Sequence, residues 1–475
     1  MSAAAVITMR IQKLRDCAFL APCTTSFNFA TSSSPPSLLR RRRHNAIYQS
    51  QQKQRHYSAY AWGTSKKGII PLPEIIDEGQ KAASQGTRAG SDFLARGTVI
   101  DYPRLIDVEK AFGSGTDGSP VTIAQIECGP TGTATILSDG RCFTYGSNKN
   151  GELGHGNKKD VLVPTELSVP ESCPLSQSGV STIKLGNNFS AIIDTNGDLY
   201  TFGFGGSTFS GGIGYLGHGD GESYTSPKLV ESLVEDGCYA DQVTVGESHM
   251  AVLTTEGEVL TCGAGSYGRL GNLETTDQLY LEPVDMLTSE DIMQISGGSA
   301  FTLALSKDGT IHGWGQNNKG QLGVGLGLGV DIYAMEALPR PIEAQLEGRR
   351  VVKVAAGHSH AAAVTDRGEL FIWGSSVHWE PELMSNLLHT KIVDVVCGQN
   401  YTIALAKDGK MYSFGNGKTG VLGQASKSNF PNPTLVEGLA DEVVVSMSAG
   451  WSHVACLVED KEEDSTEETA PSEEK

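Results

Sequence analysis

The stretch Gly298–Gly323, GSAFTLALSKDGTIHGWGQNNKGQLG, decides how the rest of the chain is read. It opens on a glycine and enters the run Thr302-Leu303-Ala304-Leu305. Asp308-Gly309 follows, then a second short run ending in Trp314-Gly315, and a glycine-rich loop that closes on Gln321-Leu322-Gly323. Two apolar runs joined by Asp-Gly predict a β-hairpin, because the turn needs positive φ and glycine supplies it without steric cost.

The stretch recurs along the chain. Glycines equivalent to Gly298 stand at Gly129, Gly186, Gly246, Gly357, Gly398 and Gly450. Turn pairs follow at Asp139-Gly140, Asn196-Gly197, Glu256-Gly257, Arg367-Gly368 and Asp408-Gly409. Seventeen residues after each opening glycine comes another: Gly146, Gly203, Gly263, Gly374 and Gly415, each behind a bulky or apolar residue. A Leu-Gly pair recurs as Leu153-Gly154, Leu216-Gly217, Leu270-Gly271 and Leu422-Gly423. A proline then opens a third strand in each copy (Pro103, Pro164, Pro227, Pro283, Pro341, Pro381, Pro433), and a fourth β-rich run leads to the next glycine. Four strands per unit, spaced 41 to 60 residues apart, are the signature of propeller blades. The last copy, from Gly450 through His453 to Leu457, stops after one strand, and the orphan Trp62-Gly63 supplies the missing second strand. The expectation is an all-β, seven-bladed β-propeller closed by pairing the N-terminal strand with the C-terminal blade, which removes the exposed sheet edge.

The pattern G-x-x-H-T-x-A-L-x-x-D-G, followed by an aromatic-glycine pair and N-x-x-G-Q-L-G, resembles the repeat of the regulator of chromosome condensation family. It is carried by Gly246-Glu247-Ser248-His249, Ala304-Leu305, Asp308-Gly309, Trp314-Gly315 and Asn317 through Gly323, and the resemblance covers about residues 60–458. It implies the propeller and leaves the function open, because the family hosts several. Founding members of the family act as guanine-nucleotide exchange factors for a small GTPase through a hairpin wedge. The insertions at 64–102 and 204–215 do not read as such a wedge. A plant photoreceptor branch needs tryptophans in repeated G-W-R-H-T motifs, and Gly450-Trp451-Ser452-His453-Val454 is the one near match. Organelle-targeted members are the better analogy. They imply a scaffold for organellar RNA metabolism, intron splicing or ribosomal RNA maturation, with consequences for respiratory-complex assembly.

The formal net charge is −18, unevenly placed. Residues 1–57 carry nine Lys or Arg against Asp16 alone, a net +8, so removing them leaves −26. This Arg- and Ser-rich, acid-poor composition is that of a transit peptide. Arg55-His56-Tyr57-Ser58 is similar to a mitochondrial processing site, with cleavage after Tyr57. The expected address is the mitochondrial matrix, with the plastid as alternative; Arg40 to Arg43 also fits a nuclear or nucleic-acid patch. Residues 58–458 form the expected propeller, and 459–475, with nine acids, an acidic disordered tail. An acidic chain does not concentrate phosphate backbone as a basic patch would, so protein or ribonucleoprotein partners are favoured over broad nucleic-acid binding. No run of eighteen apolar residues suggests a membrane span.

Phe204, Phe209 and Tyr215, on the glycine-rich insertion 204–215, are read as a candidate exposed partner patch, with a tolerated loop insertion as the alternative. Trp379, in the copy that lacks Leu-Gly, is a second candidate contact. The polar insertion 64–102 reads as a surface loop. Its binding role and simple decoration are equally open. The GxG spacings near 204–215 and 323–329 lack the strand before and helix after that a phosphate cradle needs. His249, His360 and His453 share a repeat position that holds Phe189 or Phe301 in other copies, which makes them structural. Cysteines outside residues 1–57 show no C-x-x-C or zinc spacing and read as buried small apolar residues, with a redox switch as the other option. No catalytic constellation, cofactor motif or metal-ligand pattern is present, and the chain reads as a non-enzyme.

Overall fold

A computed structural model describes residues 57–85, 97–115, 118–209, 211–325 and 334–461. The chain divides into residues 1–55, which lie outside that set, and a unit of residues 56–475. Within this unit, seven four-stranded antiparallel sheets are formed. Their innermost strands line one central channel, to which all seven contribute. The architecture is the seven-bladed propeller.

Blade 1 shows how a repeat becomes a sheet. Its strands Ile123–Cys128, Gly132–Leu137, Cys142–Gly146 and Val161–Glu166 run from channel to rim in chain order. The sequence repeat is therefore offset from the blade by one strand: the fourth run of each copy, such as Val351–Ala356, forms the inner strand of the next sheet. Each copy thus spans a seam between blades, which ties neighbours covalently. The prolines do not open their strands. Pro164 and Pro227 lie past the middle and Pro283 ends its strand, all on the rim. An edge strand can lack one N–H without breaking a ladder, so the rim is where proline fits.

Two faces follow from the strand directions. The repeat-opening glycines and the Leu-Gly loops lie at one end of every sheet, here the glycine face, and the Asp-Gly turns and inter-blade connections at the other, the turn face.

The ring closes as expected. The strand Tyr57–Ser65 pairs antiparallel with His453–Glu459, placing Gly63 opposite His453 and Tyr57 opposite Glu459. Blade 7 is completed inside by Val444–Ala449 and outside by Thr98–Leu105. Glu459 therefore belongs to a strand and not to the tail; residues 462–475 lie outside the described set. Gly63 has φ +112, and a Cβ there would stand 2.4 Å from the Ser452 carbonyl oxygen, so only glycine fits the crossing.

The insertion after this strand is no surface loop in its first half. Ile69, Ile70, Leu72, Ile75 and Ile76 are buried in the core shared by blades 6, 7 and 1. The segment continues into the helix α1 (Pro73–Gln85), with proline at its first position, where the missing N–H costs nothing. Thr133 of blade 1 donates to the Ile69 carbonyl at 2.7 Å, and Lys67 reaches Ser147 and Asp160. The insertion therefore straps the closing blade to blade 1, in the position a Leu-Gly loop holds elsewhere.

Trp62 is fully buried and donates Nε1–H to the Val421 carbonyl of blade 6 at 2.8 Å. Trp62→Ala should lower unfolding free energy by about 3–5 kcal/mol, the cost of emptying a buried indole site, read as an earlier urea midpoint; a shift under 1 kcal/mol would mean the closing strand is not integral.

Candidate functional site

Three seams of the ring carry the same polar staple. His249 Nε2 lies 2.9 Å from Thr302 Oγ1, His360 Nε2 3.1 Å from Thr402 Oγ1, and His453 Nε2 2.8 Å from Thr133 Oγ1. Each histidine is the third residue after its opening glycine, and each threonine the fourth after the next copy's glycine. Thr133 already donates its proton to Ile69, so His453 must donate from Nε2. The other four seams hold different residues at these two positions; at one of them Gly132 has no side chain to pair, and Ser190 donates instead to the Glu152 carbonyl at 2.7 Å. Phe189 precedes Met250, and Phe301 precedes Ala361. Tyr401 precedes Val454 and donates instead to the Gly450 carbonyl at 2.8 Å. The opening glycines are required by close approach. At Gly246 a Cβ would stand 2.3 Å from the His249 ring, and at Gly298 2.0 Å from that of Phe301.

The indoles interlock the blades farther out. Trp314 Nε1 donates to Arg269 O at 3.0 Å and Trp373 Nε1 to Gln321 O at 2.9 Å, each reaching the preceding blade's Leu-Gly loop as Trp62 does. The loop glycines Gly271, Gly323 and Gly423 lie against these rings, with no room for a Cβ beyond about 3.0 Å.

On the glycine face the channel, about 460 Å³ in volume, opens between the loops that follow the opening glycines. Inside, Lys184 pairs with Glu127 at 2.9 Å and Lys353 with Asp394 at 3.1 Å. At the mouth, Ser299 donates to Glu247 at 2.8 Å, and the half-buried Trp451 meets His358 edge-on with ring centroids 5.8 Å apart. Burial and Lys319 lower the His358 pKa against the opposing pull of Glu247, so its imidazole is neutral at physiological pH. This mouth presents an aromatic pair, hydroxyls and one carboxylate. It can bind a partner's polar groups.

A short hairpin on the glycine face extends from blade 2 over the outer loop of blade 3. Gly206-Ser207 pairs with Gly212-Ile213, and the Ile213 N–H bonds to Asp277 of blade 3 at 3.0 Å. Phe209, at the tip, is 100% exposed. Among the described residues no three His, Cys, Asp or Glu side chains converge as metal ligands, and no helix is long and apolar enough to cross a membrane.

Residues 58–456 match the family model described as RCC1-like domain. The chain belongs to this family. It is 28% identical to the mitochondrial RCC1 domain-containing protein RUG3 of Arabidopsis thaliana over 67% of this chain and 75% of that protein. Against the ultraviolet-B receptor UVR8 of the same plant, the figures are 28% identity, 72% and 76%. It is 29% identical to the mouse E3 ubiquitin-protein ligase HERC2 over 70% of this chain, spanning only 7% of that much longer protein. Among solved structures, Prp20p of Saccharomyces cerevisiae, studied for its binding to Gsp1p and histones, superposes with TM-score 0.68. It has 19% identity and covers 87% of this chain and 95% of its own, a likeness of fold.

The RCC1-like scaffold sorts the sequence-derived candidates. Trp62, Gly63, Gly450 and His453 come together at the closing seam. The aromatic patch does not assemble. Tyr215 is buried between Phe189 and Phe204, whose ring meets it edge-on at 5.9 Å, and Phe204 is itself half-buried, leaving Phe209 alone in solvent. The two rings gain more from packing against the blade 2–3 core than an exposed patch would allow. The insertion also turns out to be a hairpin with a paired ladder, contrary to its glycine-rich, non-alternating sequence. Trp379 is half-buried over Gly320 of the preceding blade. Tyr57 and Ser58 open the closing strand, and Arg55 lies outside the described residues. The cysteines among the described residues form no disulfide. Burial pushes Cys142 and Cys397 up to about 12, and Cys128, Cys262 and Cys456 higher still, which suppresses thiolate reactivity. The staple was legible in principle: reading the third position of each copy with the fourth of the next exposes the His–Thr pairing.

Burial drives His249 and His453 down to about 3 and His360 to about 4. Each is neutral when folded and binds a proton on unfolding below its ordinary pKa of about 6.5. Stability is therefore unaffected above about pH 6.5 and falls as pH drops from there toward 4. His453→Phe should lose about 1 kcal/mol at pH 7 with the hydrogen bond. It should also flatten the acid-side decline by about one proton, or 1.4 kcal/mol per pH unit, in urea melts across that range. An unchanged slope would contradict the buried neutral imidazole.

Proposed function

We propose that the chain is a non-enzymatic RCC1-like scaffold of the mitochondrial matrix that supports organellar RNA processing, intron splicing or ribosomal RNA maturation, and thereby respiratory-complex biogenesis. The observation that carries this reading is the likeness to the mitochondrial RUG3 along most of both chains. The acid-poor, Arg-rich residues 1–57 support it as a transit peptide cleaved after Tyr57, which leaves Ser58 to begin the closing strand. Partners dock on the loops of the glycine face, held in place by the staples and interlocked indoles, while the ring itself contributes rigidity.

A second reading is favoured by one feature. The hairpin with the fully exposed Phe209 at its tip lies on the glycine face over the outer loop of blade 3 and suits insertion into a partner, as exchange on a small GTPase would require. Immunoprecipitation of the tagged protein from isolated mitochondria, with sequencing of associated RNA and proteins, should recover organellar transcripts and splicing or ribosomal factors. Recovery of a small GTPase, with purified protein accelerating its nucleotide release and Phe209→Ala abolishing the effect, would replace the scaffold reading with exchange. Respiratory-complex partners with normal transcripts would indicate an assembly chaperone.

A further inference from the structure

The glycine face is electrically divided, which the net charge conceals. The loops 66–72, 147–160 and 416–429, from blades 7, 1 and 6, hold seven lysines against Glu152 and Asp160. Glu152 is buried and accepts from the Asn150 N–H, and Asp160 is paired with Lys67 at 2.8 Å. The remaining six, Lys66, Lys149, Lys158, Lys159, Lys418 and Lys427, are exposed and take part in no ion pair among the described residues. Next to the blade 1 loop, which bonds through its Gly156 N–H to Thr225 O of blade 2, the loops 204–223 and 264–277 of blades 2 and 3 carry Asp220, Glu222, Glu274 and Asp277 against Arg269, which is buried.

The lysines form one continuous arc because ring closure joins their loops. Thr64 Oγ1 donates to Thr419 O at 3.0 Å, which sets Lys418 beside the segment that continues into Lys66. Lys67 then reaches Ser147 and Asp160, next in sequence to Asn148-Lys149 and Lys159. Before closure, the arc's parts lie at opposite ends of the chain.

We infer that this arc on blades 6, 7 and 1 is a docking surface for RNA, bound through its phosphate backbone without selection of bases. The choice of RNA over DNA rests on the proposed function; the surface itself does not. Three observations select a polyphosphate over an acidic protein. The charges are all lysine, a point-charge phosphate binder that is depleted from protein interfaces. None of the three loops exposes a large hydrophobic side chain, so the anchors that give protein interfaces their energy are missing. The cations are also spread over the loops of three successive blades, as a run of phosphates requires, and not gathered at one point. The overall acidity does not oppose this, because charges beyond about 8–10 Å are screened at physiological salt.

The test uses the full chain and a fluorescein-labelled oligouridine of about 20 nucleotides, longer than the site of a single-strand binding module. Anisotropy titrations run between about 50 and 200 mM salt. One variant carries Lys66→Gln, Lys149→Gln, Lys158→Gln, Lys159→Gln, Lys418→Gln and Lys427→Gln. A control neutralises six lysines of the turn face, Lys110, Lys307, Lys391, Lys407, Lys410 and Lys461. Residues 1–57 are unchanged in both, so their basic contribution cancels. The arc variant should bind at least tenfold more weakly, and its salt slope should shrink by about 4, at about 0.7 per lost phosphate contact. The control should stay within about twofold of the parent, and equal melting temperatures will show that both fold. Equal affinities and slopes in the two variants would overturn the proposal. So would arc-dependent binding of a polyglutamate peptide without arc-dependent binding of RNA, which would indicate an acidic protein partner. In organelles, RNA still recovered with the arc variant would remove the arc and keep the proposed function. Arc-dependent binding in vitro with no RNA recovered from mitochondria would do the reverse.

Discussion

The antiparallel pairing of Tyr57–Ser65 with His453–Glu459 is the contact on which the rest of the molecule depends. A propeller blade has little core of its own and gains most burial from its two neighbours. An open row would leave two blades half-covered and two sheet edges unpaired. Here the closing strand is anchored three ways: by its ladder, by the Trp62 indole in the loop of blade 6, and by the strap that buries Ile69, Ile70 and Leu72 against blade 1. The seam between blades 7 and 1 also carries a His–Thr staple, so the C-terminal strand is locked to blade 1 in the same way as two other seams are locked.

Neighbouring blades share no extended ladder, so their cohesion comes from side chains together with single backbone bonds from each outer loop to the next rim strand, such as Gly156 N–H to Thr225 O and Gly219 N–H to Leu279 O, both at 2.8 Å. Aromatic rings seated under glycines supply apolar contact, and the staples pair the Nε2 of three buried histidines across their seams. On the channel wall, Gln294 bonds both the N–H and the carbonyl of Val354 in the next inner strand. Thr244 accepts from Gly297 N–H at 2.7 Å in the same way. Buried backbone groups of unpaired inner strands thus find partners across the seam, as they must. The resulting ring is stiff, and what varies lies on its loops: the hairpin bearing Phe209, the Trp451–His358 mouth, and the lysine-rich arc. Functional variety on a common ring is expected where the scaffold supplies position and the loops supply chemistry.

The number of blades, the closing strand and the structural role of His249, His360 and His453 were legible because they rest on short, local patterns repeated at fixed offsets. The strand offset between repeat and blade was not, since a β-rich run carries no mark of which neighbour it joins. Nor was the strap: Ile69, Ile70 and Leu72 are a short apolar run inside a polar insertion, and only the vacancy left by the absent Leu-Gly loop makes them core. Tyr215 and Phe209 stand on one glycine-rich loop with similar composition around them, yet one is buried and the other fully exposed. Their difference comes from the 206–213 ladder, whose glycines hide alternation.

By itself the sequence determined the all-β ring, its seven sectors and the meeting of its ends, because glycine close approach and turn chemistry act within a few residues. The tertiary structure alone decided which surfaces exist. Lys66 and Lys418 lie 352 positions apart in the chain, and they become neighbours only when Thr64 reaches Thr419 across the closed seam. Net charge is a sum over the chain, whereas a ligand responds to charges within a screening length. Ring closure, which sets those distances, therefore gives an acidic protein a basic arc on one part of its glycine face.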